Sequence, residues 1–149
     1  MKKIALTIEE MKQLQEYGID TSISSMKWMK VPTANAIIYN TNEYTWELFI
    51  VHSKMIDSIP AFTLQDIIEL LPKSICIDGI KYGLDLFIDD IKREWNITYS
   101  RCDCSPEQKL EYSLIESDFE IIDAVYHMLI RCAKNGFLNK NDQNLDEKQ

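Results

Sequence analysis

Glycine is scarce in this chain of 149 residues: Gly18, Gly79, Gly83 and Gly136 are its whole complement. No phosphate-cradling loop or dinucleotide fingerprint can be assembled from four glycines so spaced. Cysteine is equally thin. Cys76, Cys102, Cys104 and Cys132 form no paired C-x-x-C knuckle, and neither of the two histidines stands at finger spacing from them. Basic charge is in deficit, with 16 Lys and Arg against 24 Asp and Glu, a net charge of −8. Binding to a phosphate backbone needs a basic footprint, so a nucleic-acid partner is disfavoured. No apolar run is long enough to span a bilayer, and none follows Met1-Lys2-Lys3 as a signal peptide requires. The expectation is a cytoplasmic protein with reduced thiols and no membrane partner. His-Glu-x-x-His, Gly-x-Ser-x-Gly and Asp-x-Asp-x-Asp-Gly are all missing, so no motif calls for a cofactor or a metal.

What is present is a globular composition, 46% hydrophobic and 27% charged. Thr7 and Glu10 read as a capping box opening a short helix with Ile8, Met11 and Leu14 on one face and Gly18 as its C′ residue. Residues 25–31 read as a strand stopped by Pro32, and Ala36-Ile37-Ile38-Tyr39 as a second strand closed by Asn40-Thr41-Asn42. Tyr44, Trp46, Leu48 and Ile50 alternate with Thr45, Glu47 and Phe49, the period of a half-buried strand. Thr63 and Asp66 stand as N-cap and N3 of a helix that Pro72 stops.

Asp78-Gly79 between Ile75-Cys76-Ile77 and the alternating run from Ile80 is the strongest hairpin signal in the chain. Further alternation through Trp95, Ile97 and Tyr99, then Leu110, Tyr112 and Leu114, makes a four-stranded antiparallel meander of this stretch. The final helix is read from a Ser117 cap with Glu120 at N3 to about Asn135, ended by Gly136. Its apolar stripe is Phe119, Ile122, Val125, Tyr126, Leu129, Cys132 and Ala133. Its wet stripe is Glu120, Asp123, His127, Arg131 and Lys134.

Candidate chemistry is sparse. His127 has Asp123 four residues before it and Arg131 four after, so the three share one helix face and could be a partner-binding stripe. His52 ends a strand beside aromatics and reads as packing. Cys132 and His127 are five residues apart, about 140° around a helix, which argues against a shared metal. Asp85 and Asp89 share the polar face of the long strand, with Asp90 next to them, and could hold a divalent cation. Trp28 is the aromatic expected to be partly exposed, because its strand carries apolar residues on both faces.

Three stretches carry a likeness: Leu6-Thr7-Ile8-Glu9-Glu10-Met11 running to Gly18-Ile19-Asp20-Thr21-Ser22 and Ser25-Met26-Lys27-Trp28; Pro60-Ala61-Phe62-Thr63-Leu64-Gln65-Asp66-Ile67-Ile68; and Asp123-Ala124-Val125-Tyr126-His127-Met128-Leu129 with Asn135-Gly136. Together they resemble small uncharacterised proteins encoded by phages, prophages and mobile elements of gut bacteria, over most of the chain up to about Leu138. The resemblance implies an accessory gene product inside a bacterial cell and brings no catalytic residue with it.

The sequence therefore predicts a single α+β domain over residues 1–138 and a flexible polar tail over 139–149. A six- to seven-stranded antiparallel meander is covered by a middle helix and a long C-terminal helix, with a short N-terminal helix beside it. The expected function is a non-catalytic protein–protein interaction module binding through Trp28, Asp123, His127 and Arg131, with a protein partner. The alternatives are a small metal-dependent hydrolase or nuclease using Asp85 and Asp89, and a self-assembling homo-oligomer.

Overall fold

A computed structural model of the chain describes residues 2–50, 57–103 and 112–138. The protein is α+β, with four helices and seven strands among the described residues. The seven strands form two antiparallel sheets instead of one: a three-stranded sheet in the order β2 (Tyr44–Ile50), β1 (Met26–Pro32), β3 (Ile59–Ala61), and a four-stranded sheet in the order β4 (Ser74–Ile77), β5 (Ile80–Asp89), β6 (Glu94–Arg101), β7 (Tyr112–Asp118). Periodicity does not name a strand's neighbours, and the three-residue strand Ile59–Ala61, which the sequence does not predict, turns back to pair with β1 rather than with the next strand along. The chain divides into two compact units, residues 4–66 and residues 1–3 with 67–149.

In the N-terminal unit, α1 (Ile8–Glu16) opens with the expected capping box. Thr7 Oγ1 accepts from Glu10 N–H at 3.2 Å and the Glu10 carboxylate accepts from Thr7 N–H at 2.8 Å. Gly18, at φ 76°, ends the helix in the left-handed region that favours glycine. Met11 and Leu14 are buried with Leu6, Ala61 and Phe62. β1 (Met26–Pro32) pairs with β2 (Tyr44–Ile50) on one side and with β3 (Ile59–Ala61) on the other.

Between β1 and β2 the expected strand over Ala36–Tyr39 is instead a helix, α2 (Ala34–Tyr39). Thr33 caps it through a 3.1 Å bond from Ala36 N–H, and Asn40 closes it in the left-handed conformation at φ 52° and ψ 46°. Local capping at both ends thus outweighs the β preference of Ile37 and Ile38. The unit ends inside α3 (Leu64–Leu70), at Asp66. The Asp66 carboxylate accepts from Thr63 N–H at 2.8 Å and Asp66 N–H donates to Thr63 Oγ1 at 3.3 Å, which completes the predicted cap.

The C-terminal unit carries the meander: β4 (Ser74–Ile77), β5 (Ile80–Asp89), β6 (Glu94–Arg101) and β7 (Tyr112–Asp118). Asp78 and Gly79 both take positive φ, 51° and 81°, as a type I′ hairpin turn requires. A bulge falls between Tyr99 and Ser100 in the β6–β7 register. α4 (Ile121–Lys134) packs on β6 and β7. Ser117 is not its cap but a residue of β7, where its hydroxyl bonds Asn96 Oδ1 at 2.6 Å. Glu120 occupies the N-cap position without a side-chain bond. Phe119 precedes the helix and is 70% exposed, because the β7 ladder continues to Asp118 and delays the start of α4. Within α4, Ala124, Met128 and Ile130 are buried along with Ile122, Val125, Tyr126, Leu129 and Cys132, a wider apolar arc than one stripe. Gly136, at φ 75°, stands just past the end of α4 in the left-handed region. No helix among the described residues is long and apolar enough to cross a membrane. The expected tail over 139–149, His52, Cys104 and Leu110 lie outside the described residues.

Candidate protein-binding surface

The β1–α2–β2 hairpin is where this fold leaves apolar surface uncovered. Pro32 ends β1, Thr33 N–H bonds Glu43 C=O at 3.2 Å, and Thr41 N–H bonds Ala36 C=O at 3.2 Å. Those bonds pin a six-residue helix across the end of two strands. Only Ala36 of that helix is buried; Ile37, Ile38 and Tyr39 are 74%, 70% and 72% exposed. Three consecutive large apolar residues span most of the circumference of a helix, so one short turn cannot turn them all inward.

The exposed surface continues onto β2. The Tyr44 ring stands edge-on to Trp46 at 5.9 Å, and the Lys30 ammonium lies 4.3 Å from the Tyr44 centroid and 5.5 Å from that of Trp46. Phe49 and Ile50 are also exposed. Exposed apolar side chains gathered on one hairpin point to an interaction surface. A smaller exposed set, Phe87, Ile88, Ile91 and Phe119, belongs to the C-terminal unit.

Of the residues the sequence singles out, Trp28 lies in the hairpin. It is half-buried, as its strand's two apolar faces predict, and faces Leu48 and Ile59 across the sheet. Its indole N–H donates to Leu6 C=O at 2.9 Å, so Trp28 ties the hairpin to the N-terminal segment of its own unit. Asp123, His127 and Arg131 belong to the other unit and do share one stripe of α4. Each faces a charge within that unit: Asp123 is bonded to the Lys3 ammonium and His127 Nδ1 lies 3.9 Å from the Asp118 carboxylate. Arg131 donates to Ile115 C=O at 2.8 Å and to Glu116 at 2.9 Å. The stripe laces α4 to β7 and to the N-terminus.

The carboxylates of the long strand are likewise engaged. Asp85 accepts from Leu86 N–H, and Asp89 Oδ1 accepts from Lys92 and Ile91 N–H in the β5–β6 turn. Those two backbone donors, Lys92 first, hold the Asp89 carboxyl below the usual carboxylate range. Among the described residues no group of three or more His, Cys, Asp and Glu side chains comes together to hold a metal. Cys76 and Cys102 are exposed single thiols. Cys132 is buried, and burial pushes its thiol up to about 11. Burial also raises the Tyr99 hydroxyl well above its ordinary value, and that hydroxyl donates to Pro72 C=O at 2.6 Å.

Sequence reasoning missed α2. The signal was available: Thr33 directly after Pro32, with Asn40 seven residues on, is a capped-helix frame around a run that looks like a strand. The comparisons with known proteins add no relative to this geometry: no family model, curated protein or solved structure matches the chain.

Proposed function

We propose that this chain is a non-catalytic protein-binding module, an accessory protein of phage or mobile-element origin acting in the bacterial cytoplasm, and that it binds through α2. One observation carries the reading: Ile37, Ile38 and Tyr39 are held outward by a helix whose two ends are fixed by Thr33 and Asn40. Fixing the backbone before binding lowers the entropy lost on contact, so the tip is prepared to fill an apolar groove on a partner. The hairpin that carries α2 is itself neutral, Lys27 and Lys30 against Glu43 and Glu47, so the contact it makes is an apolar one. Asp85 and Asp89 spend carboxylate oxygens on backbone N–H groups, which weighs against a hydrolytic or nuclease reading built on them.

The test is a tagged capture from the native bacterial host with the wild type and an Ile37→Asp/Ile38→Asp variant. A near-stoichiometric partner held by the wild type and lost by the variant, at unchanged melting temperature, is the expected result. Each apolar side chain withdrawn from a groove is worth about 1.5–3 kcal/mol, so binding falls at least tenfold. A partner retained by the variant, or none with the wild type, refutes the proposal.

A further inference from the structure

β2 is an edge strand whose one safeguard within its seven residues is the single charge of Glu47. It lies at the end of the β2-β1-β3 order, and no strand among the described residues pairs with its outer side. Its seven residues, Tyr44-Thr45-Trp46-Glu47-Leu48-Phe49-Ile50, include no proline and no lysine, and the β1–β2 register runs without a bulge. Edge strands are ordinarily blunted by one of these devices.

The phase of the free ladder follows from one bond. Thr33 N–H reaches Glu43 C=O, which extends the β1–β2 register by one pair and makes that pair a hydrogen-bonded one. Alternation then turns the N–H and C=O groups of Thr45, Glu47 and Phe49 toward β1. Those of Tyr44, Trp46, Leu48 and Ile50 turn outward.

We infer that two copies of this chain pair antiparallel through β2, with the two-fold axis at Trp46. Charge selects the occupant. The hairpin from Met26 to Ile50 balances Lys27 and Lys30 against Glu43 and Glu47, so it is neutral within a chain of net charge −8. A basic partner gains no charge pairing there, and two acidic copies meet there without local repulsion. An antiparallel edge is also self-complementary under a two-fold axis.

Register is selected by the same reasoning. A two-fold perpendicular to the sheet keeps side chains on their own face, so the axis passes through Trp46, Glu47 or Leu48. The Glu47 centre sets two carboxylates directly opposite, which destabilises a pair of strands. The Leu48 centre sets each Glu47 against an apolar Phe49. The Trp46 centre sets each Glu47 against a Thr45 hydroxyl that can donate to it, stacks the two indoles, and closes roughly six ladder bonds between copies. The proposed protein contact is made by side chains of α2 and this one by the backbone edge of β2, so Ile38→Asp and Trp46→Lys distinguish the two.

The experiment is sedimentation velocity of the full chain over a concentration series at low and high salt, with amide hydrogen exchange at both ends of the series. A monomer–dimer equilibrium that tightens with salt is expected, since screening removes repulsion between the two acidic copies. The amides of Tyr44, Trp46 and Leu48 then gain protection with concentration, while those of Thr45, Glu47 and Phe49 are protected throughout. Trp46→Lys, which sets two ammonium groups face to face, raises the dissociation constant more than tenfold, and Ile38→Asp leaves it unchanged. If Trp46→Lys does not fold, the exchange pattern of the wild type decides alone. A monomer up to millimolar concentration overturns the inference, as does a dimer whose Trp46 amide stays open. A dimer lost in Ile38→Asp, or one protecting Ile50 in place of Tyr44, overturns it too.

Discussion

Removing the Asp66 carboxylate should cost the N-terminal unit more stability than any other single polar change. Asp66 is 8% exposed, and one oxygen, Oδ2, is the acceptor for four donors from two places in the chain. Thr63 N–H and Oγ1 reach it at 2.8 and 3.0 Å, and Ser25 Oγ and N–H at 2.7 and 3.2 Å. The first pair caps α3; the second fastens the residue just before β1 to the same point, across 41 positions of sequence. A hydrogen bond to a charged group contributes about 1.5–3 kcal/mol net, and a buried N–H left without an acceptor costs about 1–3 kcal/mol. Bonds sharing one oxygen are not additive, so Asp66→Ala is expected to lose about 3–5 kcal/mol, against a total of roughly 5–15 kcal/mol for a domain. Asp66→Asn keeps an oxygen in place without the charge and should lose about half as much. Urea unfolding followed by circular dichroism measures both. A loss below about 1 kcal/mol for Asp66→Ala, or an Asn variant as damaging as the Ala variant, refutes the argument from acceptor geometry.

Two further outcomes follow from the C-terminal unit. Leu129 is fully buried on α4, and Leu129→Ala should cost about 2–5 kcal/mol by the same assay; a loss under about 1 kcal/mol would mean that the helix is not packed as described. Cys132, whose buried thiol is raised from 9.0 to about 11, keeps its proton in the folded chain while the unfolded chain has lost it. The unfolded state then binds fewer protons, so the contribution is whole below about pH 9 and declines as pH rises toward 11, by about 1 kcal/mol per unit. Comparing wild type with Cys132→Ala between pH 8.5 and 9.5, below the ordinary tyrosine value of about 10, isolates this slope. Identical slopes in the two proteins would refute it.

Local features were legible from the chain alone because they are written in neighbouring residues. The Thr7–Glu10 and Thr63–Asp66 caps, the Asp78-Gly79 turn, the left-handed glycines at 18 and 136, and the alternation of β5 and β6 each depend on groups a few positions apart. α2 was legible in its caps and missed because Ile37, Ile38 and Tyr39 carry a β preference that two well-made ends overrode. The start of α4 was misplaced because Ser117 serves equally as a cap or as a strand residue, and only the partner β6 decides which.

Tertiary structure alone decided how seven strands divide. β3 is three residues long and pairs with β1, which closes one sheet before β4 begins another, and nothing in the period of a strand names its neighbour. It also decided which polar groups are already engaged. The Asp123, His127 and Arg131 stripe is visible from helical spacing, but that Lys3, Asp118 and Glu116 stand opposite it is a matter of where the N-terminus and β7 run. The exposure of α2 and the open edge of β2 belong to the same class. A sequence fixes which residues are apolar, while burial depends on what the rest of the chain can reach to cover, and here the hairpin extends past its own cover.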